Sequence, residues 1–180
     1  MIKKYIFRAL FCFFRYLPSS QNIIFGRLSK SLRAFAAKGF IKQCGTNVNI
    51  EHGAKISSKL SIGDNSGVGI DCVCGGEIII GKDVMMGPEC VFFSRQHKFD
   101  NPDVPMCLQG FTDSEPIVIG DDVWIGRRVM VMPGVHIGNH CIIGAGAIVT
   151  KDIPDWAIAA GSPAVVKKYR NRSSNVNSHL

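Results

Sequence analysis

Apolar residues recur along this chain with a period of six. From Ile50 to Phe92 they occupy every sixth position, with Cys74 among them, and a second series with the same spacing runs from Ile119 to Val149. A small or aliphatic residue follows each of them except Phe92 four positions later, as Ala54 follows Ile50. A short strand followed by a sharp turn keeps one residue in six pointing inward, and three such sides close one coil of a triangular solenoid. The pattern therefore predicts an all-β fold, a parallel β-helix of about four to five coils that stack about 4.8 Å apart.

Small residues mark the corners and the interior of this predicted solenoid. Glycine often follows the first position of a hexad, as at Gly63 and Gly81, and we expect these glycines to supply positive φ angles at the corners. Three cysteines, Cys72, Cys90 and Cys141, fall at the small inward position, so they are interpreted as core residues. Since no second cysteine pair accompanies positions 72 and 74, a zinc site is not expected there.

A loop interrupts the period. Positions 92 and 119 are 27 residues apart, which is not a multiple of six, so the chain must leave the coil and return at about 94–116. Loops inserted into a solenoid commonly carry function. This loop contains His97, whose neutral imidazole could accept a proton from a hydroxyl group, with Asp100, Glu89 or a backbone carbonyl to orient the ring. A solvated loop histidine with no function is the alternative.

The basic residues are concentrated at the two ends of the chain. Residues 1–42 carry nine Lys or Arg and no acid, whereas residues 43–166 carry eight basic and fourteen acidic residues. Because a nucleic-acid groove needs a continuous positive face, this distribution disfavours nucleic-acid binding. We divide the chain into a basic, aromatic helical segment (1–44), a solenoid domain (45–166), and a basic C-terminal segment with a polar tail (167–180).

The first seventeen residues predict a helix that ends near Pro18, and the sequence leaves two roles open for it. Arg8 and Arg15 interrupt the apolar run and no small-residue cleavage site follows, so the segment is not typical of a signal peptide. The helix could rest on an anionic membrane surface as a peripheral contact. It could also pack its aromatic face on the body of the protein or on a neighbouring subunit, which is the interpretation we favour.

Two segments of the second series, 119–126 (IGDDVWIG) and 143–154 (IGAGAIVTKDIP), carry a family resemblance. Together with the repeat they resemble the hexapeptide-repeat acyltransferases, and in particular the galactoside, maltose and xenobiotic O-acetyltransferase branch, which includes polysaccharide O-acetyltransferases. The resemblance covers roughly residues 45–168. It implies a left-handed β-helix, a homotrimer with active sites between subunits, acetyl-CoA as the donor, and a short C-terminal helix after Ala164.

The resemblance also assigns roles to individual residues. His97 lies at the position of the family's catalytic histidine and would act as general base. Asp71 is the nearest counterpart of the residue that holds the acceptor sugar. The positions that match CoA contacts in the family are Trp124, Arg127, Ala145, Thr150, Lys151 and Lys168, the two lysines as counter-charges for phosphate groups.

The expected function is that of a cytoplasmic, acetyl-CoA-dependent O-acetyltransferase that needs no metal. Its acceptor would be a sugar hydroxyl of a surface polysaccharide or of a precursor, held at the inner face of the membrane if the N-terminal helix binds there. Three alternatives remain: an N-acetyltransferase acting on an amino sugar, a zinc protein like the γ-class carbonic anhydrases, and a non-enzymatic scaffold. That zinc class separates two of its histidines by five residues, whereas His136 and His140 are four apart. A scaffold would require neither His97 nor the Thr150-Lys151 corner.

Overall fold

The computed structural model describes residues 2–170, which form two α-helices followed by a three-sided parallel β-helix. Helix α1 spans Ile2–Phe14, helix α2 spans Gly26–Lys38, and one 3-10 turn spans Met106–Leu108. The strands in chain order are β1 (Gln43–Cys44), β2 (Asn49–Ile50), β3 (Lys55–Ile56), β4 (Ser61–Ile62), β5 (Gly67–Val68), β6 (Val73–Gly75), β7 (Ile78–Ile80), β8 (Met85–Met86), β9 (Val91–Phe93), β10 (Ile117–Ile119), β11 (Trp124–Ile125), β12 (Met130–Val131), β13 (His136–Ile137), β14 (Ile142–Ile143), β15 (Ile148–Val149), β16 (Ala157–Ala160) and β17 (Val165–Tyr169).

Every third strand lies in the same sheet, which gives the solenoid three faces. The first face contains β1-β4-β7-β10-β13 and the third face contains β3-β6-β9-β12-β15. The second face contains the pair β2-β5 and the sheet β8-β11-β14-β16-β17. The solenoid, the helical N-terminal segment and the loop at 94–116 are therefore confirmed. The stack has five complete coils and the beginning of a sixth, more than we predicted, because β1 and β16 extend it beyond the two apolar series.

The interior contains the residues that the six-residue period placed there. Ile50, Ile62, Ile125 and Ile143 are fully or almost fully buried. The cysteines Cys72, Cys90 and Cys141 are also fully buried, and the thiols of Cys90 and Cys141 each lie 3.1 Å from a backbone carbonyl oxygen. Burial raises the pKa of the neighbouring Cys74 to about 12. The cysteines thus act as core residues, as predicted.

The corner glycines have a different role from the one we expected. Gly63 and Gly81 do not have positive φ angles, so our expectation was wrong. A Cβ atom at Gly81 would lie 2.6 Å from the carbonyl oxygen of Gly120 in the next coil, which shows that glycine is needed for close stacking of the corners. The positive φ falls two residues after each glycine, at Asn65 (φ 56°) and Asp83 (φ 58°). Asn and Asp tolerate this conformation better than most residues.

The helices pack on the first coil. Helix α2 contacts β1 and β2, and α1 packs on α2. Phe11 and Phe40 are buried with their ring centroids 5.5 Å apart, and Phe7 contacts Phe35 at 5.3 Å. One aromatic face of α1 therefore packs on the body of the protein.

A buried ion pair connects the helices to this first coil. The side chain of Arg33 is fully buried and donates hydrogen bonds to the carbonyl oxygens of Ile50 (2.5 Å) and Pro18 (2.9 Å), while its guanidinium lies 3.5 Å from the carboxylate of Glu51. Burial would raise the pKa of Glu51, but hydrogen bonds from Ser20, from the side chain of Asn49 and from the backbone of His52 outweigh it and lower that pKa. The carboxylate is therefore stabilised in its charged form beside the guanidinium.

The predicted short C-terminal helix is wrong. Residues Val165–Tyr169 form strand β17, which pairs antiparallel with β16. The reason is that β16 presents an edge with unpaired backbone groups, which a strand can satisfy and a helix cannot. The β-branched pair Val165-Val166 also favours a strand. Residues 173–180, predicted to be a polar tail, lie outside the described residues.

We predict that replacing Gly81 with alanine destabilises the protein, because the new Cβ would meet backbone atoms of Gly120 that cannot move independently of the coil. The free energy of unfolding should fall by about 1–3 kcal/mol or more. Gly67→Ala is the matched control, since its Cβ would have its nearest contact at 3.5 Å and its φ is ordinary. Urea denaturation of both variants tests this, and equal losses would contradict the stacking role.

We also predict that Glu51→Gln lowers the free energy of unfolding by about 3–5 kcal/mol near neutral pH, since it leaves the guanidinium of Arg33 buried without a counter-charge. The pKa of Glu51 is lowered by folding, so its contribution is present above the unfolded-state pKa of about 4.3. That contribution is lost as the pH falls through the folded-state pKa. Denaturation curves across this acidic range should therefore converge for wild type and variant. The exposed Glu115→Gln is the control, and a pH-independent difference would argue against the assignment.

Candidate active site

The predicted loop leaves the solenoid after β9 and returns before β10, and its two arms pair with each other. His97 and Phe111 form an antiparallel bridge. Beside it, the amide of Lys98 donates to the carbonyl oxygen of Gly110 at 3.1 Å, and the amide of Thr112 donates to that of Gln96 at 2.8 Å. His97 therefore stands on a braced ribbon above the corner where the third face meets the first, which we name corner 3.

The base of this ribbon is held by one buried serine. Ser94 is 1% exposed, and its hydroxyl lies 3.0 Å from that of Ser114 on the returning arm. The same hydroxyl accepts a hydrogen bond from the amide of Glu77 at 3.1 Å. Ser94 thus joins both arms of the loop to the coil below. Ser94 is not among the residues predicted from the sequence. The one signal for it is its position as the first residue of the loop that interrupts the six-residue period.

The imidazole of His97 is exposed and has an aromatic neighbour. Its ring stacks on Phe111 with centroids 4.2 Å apart and an angle of 33° between the planes. Across the described residues, no hydrogen-bond partner is found for either ring nitrogen. Glu89, one of the groups considered for orienting the ring, is bound instead to Arg127 and Arg128. Phe111 is therefore the group that restrains the ring on this chain, and both nitrogens can meet an incoming ligand.

A cavity of about 540 Å³ opens at corner 3, beside the base of the ribbon. Four serines, two cations, two aromatic rings and two glycines line it: Ser57, Ser58, Ser94, Ser114, Lys59, Arg95, Phe93, Phe111, Gly75 and Gly76. Phe111 belongs both to this wall and to the stack with His97. Hydroxyl groups beside aromatic faces suit a ligand with many hydroxyls of its own. No sequence pattern predicts this cavity, because its wall comes from separate stretches of chain.

The remaining predicted residues lie on two separate parts of the solenoid. Asp71 (φ 55°), Arg127 and Ala145 lie at the corner between the second and third faces, which we name corner 2. Trp124 lies on β11 of the adjoining second face, 53% exposed, between Met85 and Ile142 on the neighbouring strands. Lys168 is exposed on β17 of that same face.

Thr150 and Lys151 are exposed at corner 3, two coils beyond the start of the His97 loop. One width of the third face separates them from Ala145. Five residues at about 3.3 Å each make that roughly 16 Å of chain. The structure therefore does not bring all the predicted residues together on one chain. It places Asp71, Trp124, Arg127, Ala145 and Lys168 on one group of surfaces and His97, Thr150 and Lys151 at another corner.

Arg127 is already engaged. Its guanidinium and that of Arg128 both hold the carboxylate of Glu89, and the hydrogen bond from Arg127 is the main cause that lowers the pKa of Glu89. A phosphate group at Arg127 would therefore have to compete with this carboxylate.

His136 and His140, which the sequence suggested as zinc ligands, lie in different surroundings. The Nδ1 atom of His140 lies 2.9 Å from the carboxylate of Asp122, and its ring stacks on Trp156 at 4.0 Å. His136 is exposed on β13. Over residues 2–170, no group of three or more His, Cys, Asp or Glu is arranged to hold a metal ion.

This chain is similar in sequence and in structure to known proteins. Residues 116–151 match the family model described as bacterial transferase hexapeptide (six repeats). The chain is 36% identical over 125 residues to a putative acetyltransferase of Saccharomyces cerevisiae, a match that covers 68% of this chain and 62% of that relative. The chain therefore spans about three fifths of the length of this curated relative.

Among the solved structures that this chain resembles, two acetyltransferases match over most of its length. A maltose O-acetyltransferase from Clostridium difficile 630 superposes with a TM-score of 0.76 and 26% identity, over 94% of this chain and 87% of that one. A galactoside acetyltransferase in complex with coenzyme A gives a TM-score of 0.72 and 28% identity, over 94% of this chain and 82% of that one. The solenoid described above is thus the left-handed β-helix of these proteins.

Proposed function

Because this chain carries the hexapeptide repeat of bacterial transferases on the left-handed β-helix of the galactoside and maltose O-acetyltransferases, we propose that it is an acetyl-CoA-dependent O-acetyltransferase. The acceptor in this proposal is a sugar hydroxyl of a surface polysaccharide or of its precursor, and the reaction takes place in the cytoplasm, where acetyl-CoA is made. The observation that carries the proposal is the exposed His97, which stands on a braced ribbon beside a hydroxyl-lined cavity.

His97 is the general base in this proposal. The acceptor oxygen attacks the thioester carbonyl while a ring nitrogen of His97 takes the hydroxyl proton. The tetrahedral intermediate then collapses, the carbon–sulfur bond breaks, and the imidazolium returns the proton to the leaving thiolate. The products are the O-acetyl ester and CoA. The stack with Phe111 supports this role, since it restrains the ring while both nitrogens stay accessible.

We place the acceptor in the cavity at corner 3. Its serines can donate to and accept from sugar hydroxyls, and the faces of Phe93 and Phe111 can pack against the apolar side of a sugar ring. Lys59 and Arg95 add positive charge, which favours an acceptor that carries a phosphate or carboxylate group.

The proposal includes a homotrimer. Asp71 lies at corner 2 and the His97 loop leaves from corner 3, at opposite ends of the strands of the third face, so both can touch one acceptor only if corners of two copies meet. A repeated contact of corner 2 with corner 3 is heterologous, and a threefold rotation closes it into a ring. The exposed Phe99, Met106 and Leu108 on the loop support this arrangement, since a neighbouring copy would cover them.

CoA would lie in the groove between the two corners. Trp124 and Ala145 on one copy would border the pantetheine arm, with Thr150 and Lys151 of the next copy opposite them. Arg127 would contribute its aliphatic stem, since its guanidinium is held by Glu89. Lys151 and Lys168 are exposed, and no ion pair is found for either within residues 2–170, so they can act as counter-charges for the phosphates.

We predict that the wild-type protein binds acetyl-CoA and that Lys151→Ala/Lys168→Ala weakens binding about 10- to 100-fold, the loss expected from one or two charge-assisted contacts. Isothermal titration calorimetry measures both affinities. Lys55→Ala/Lys167→Ala is the matched control, because it removes equal charge and Lys167 is adjacent to Lys168 on β17. Absence of wild-type binding at millimolar acetyl-CoA would overturn the donor assignment.

For catalysis, we predict that His97→Ala reduces turnover by about 10²- to 10⁴-fold and leaves the affinity for acetyl-CoA unchanged, since the base acts on the acceptor. Release of the CoA thiol would be followed with a panel of neutral, acidic and amino sugars, which also tests amine acceptors. Lys98→Ala, at the neighbouring exposed position of the loop, is the control. Near-normal turnover of the histidine variant would exclude His97 as the base.

A further inference from the structure

Helix α1 has two apolar faces, and only one of them is covered by the protein. Phe7, Leu10, Phe11 and Phe14 pack against the hydrophobic core. On the opposite side, four large apolar or aromatic residues of the helix are exposed: Ile2, Tyr5, Ile6 and Phe13. Phe13 is 71% exposed and Tyr5 is 65% exposed. A surface helix of a globular protein normally carries polar residues on the face opposite its buried stripe. We therefore expect a partner outside this chain to cover the second apolar face of α1.

Three cations of α1 lie outside its buried face. Lys3, Lys4 and Arg8 are exposed, and within the described residues none of them forms an ion pair. Lys4 and Arg8 are one helical turn apart, so they lie one above the other along the helix. Residues 1–42 contain no Asp or Glu that could neutralise them. The charge of this segment is thus available to an anionic partner.

A second apolar cluster lies just before and at the start of α2. Ile23 is fully exposed, and Ile24, Phe25 and Leu28 are also exposed. The exposed Arg27 lies among them. The side-chain oxygen of Asn22 accepts hydrogen bonds from the amides of Ile24 (3.1 Å) and Phe25 (2.9 Å). This local turn holds the cluster in place although the protein does not bury it.

The charges distinguish between the occupants that such a face could have. A second copy meeting this face with its own would bring the cations of both copies together, and the segment has no acid to pair with them. A neutral protein surface would cover the apolar residues and leave the charges unused. An anionic bilayer meets both needs, because lipid phosphates attract Lys and Arg while aromatic and aliphatic side chains enter the headgroup boundary.

We propose that the outer face of α1 and the Ile23–Leu28 cluster dock the protein on an anionic membrane surface. Neither described helix is long and apolar enough to cross a bilayer, so the contact is peripheral, with α1 in the plane of the interface. The inference does not depend on the transferase activity. A membrane-bound acceptor would, however, meet its enzyme at that surface.

Flotation with vesicles tests the apolar part of the proposal. The wild-type protein should float with vesicles of phosphatidylcholine and phosphatidylglycerol and remain unbound with pure phosphatidylcholine. Ile6→Ser/Phe13→Ser should bind the anionic vesicles at least about 10-fold more weakly, because the apolar anchor is lost. Val165→Ser/Tyr169→Ser, which changes two exposed apolar residues on β17 at the other end of the solenoid, is the matched control and should bind as wild type does.

A charge series tests the electrostatic part. Lys3→Gln/Lys4→Gln/Arg8→Gln should lose most binding to anionic vesicles at physiological salt. Lys55→Gln/Lys98→Gln/Lys167→Gln removes the same charge from other exposed positions and should keep it. Far-UV circular dichroism confirms that each variant is folded, and acetyl-CoA titration keeps the result separate from the proposed activity.

Three outcomes would overturn the proposal. One is equal binding of the wild-type protein to neutral and anionic vesicles, and another is equal loss in the variants and their controls. The third is a wild-type protein that binds neither kind of vesicle. If Ile6→Ser/Phe13→Ser then lowers the molecular mass measured by light scattering, the face is assigned to a contact between copies.

Discussion

The structure depends on one constraint: each coil must stack on the next at the spacing of hydrogen-bonded strands, at the corners as well as on the faces. On the faces this is easily met, since parallel strands pair there in register. At the corners the backbones approach so closely that a single Cβ at Gly63 or Gly81 would overlap the coil above. The turn itself then requires a positive φ two residues later, which Asn65 and Asp83 provide and reinforce by a side-chain hydrogen bond of 3.0 Å between them. Glycine allows the close contact between coils, and Asn or Asp adopts the positive φ of the turn. Together they make a side of six residues possible.

The same constraint limits where chemistry can be added. A strand in the middle of a face is paired on both sides, so an insertion there would break two ladders, whereas a corner can open without disturbing either neighbour. The loop of His97 leaves and returns at a corner, and the buried hydroxyl of Ser94 replaces the contacts that an ordinary corner would have made. The cavity results from this opening, because its wall consists of the corner residues of the coils below together with the two arms of the loop.

The sequence predicts the features that depend on period, and misses those that depend on contact. Inward positions, the number of faces and the place of the loop follow from counting residues, so Ile125, Cys141 and His97 could be placed in advance. The role of Gly81 could not, since glycine serves both for positive φ and for close approach, and only the neighbouring coil decides between them. The buried pair of Arg33 and Glu51 connects α2 to the residue that follows β2. The six-residue period gives no sign of this pair, because one partner lies outside the repeat. The helix predicted in place of β17 is wrong because the conformation of this segment depends on the free edge of β16, which is not a local property of the sequence.

Strand β17 also affects how many coils can stack, which the repeat itself does not determine. A stack of identical coils has no natural end, since the last coil offers its backbone groups to another coil or to another molecule, and unlimited addition would give a fibre. Here β17, the last strand within the described residues, runs in the opposite direction to those below it, so it does not offer a parallel edge for another coil. Lys167 and Lys168 place charge along its exposed outer edge. At the other end, the two helices cover the first coil. Within residues 2–170, the number of stacked coils is therefore limited by β17 and by the helices, and not by the repeat.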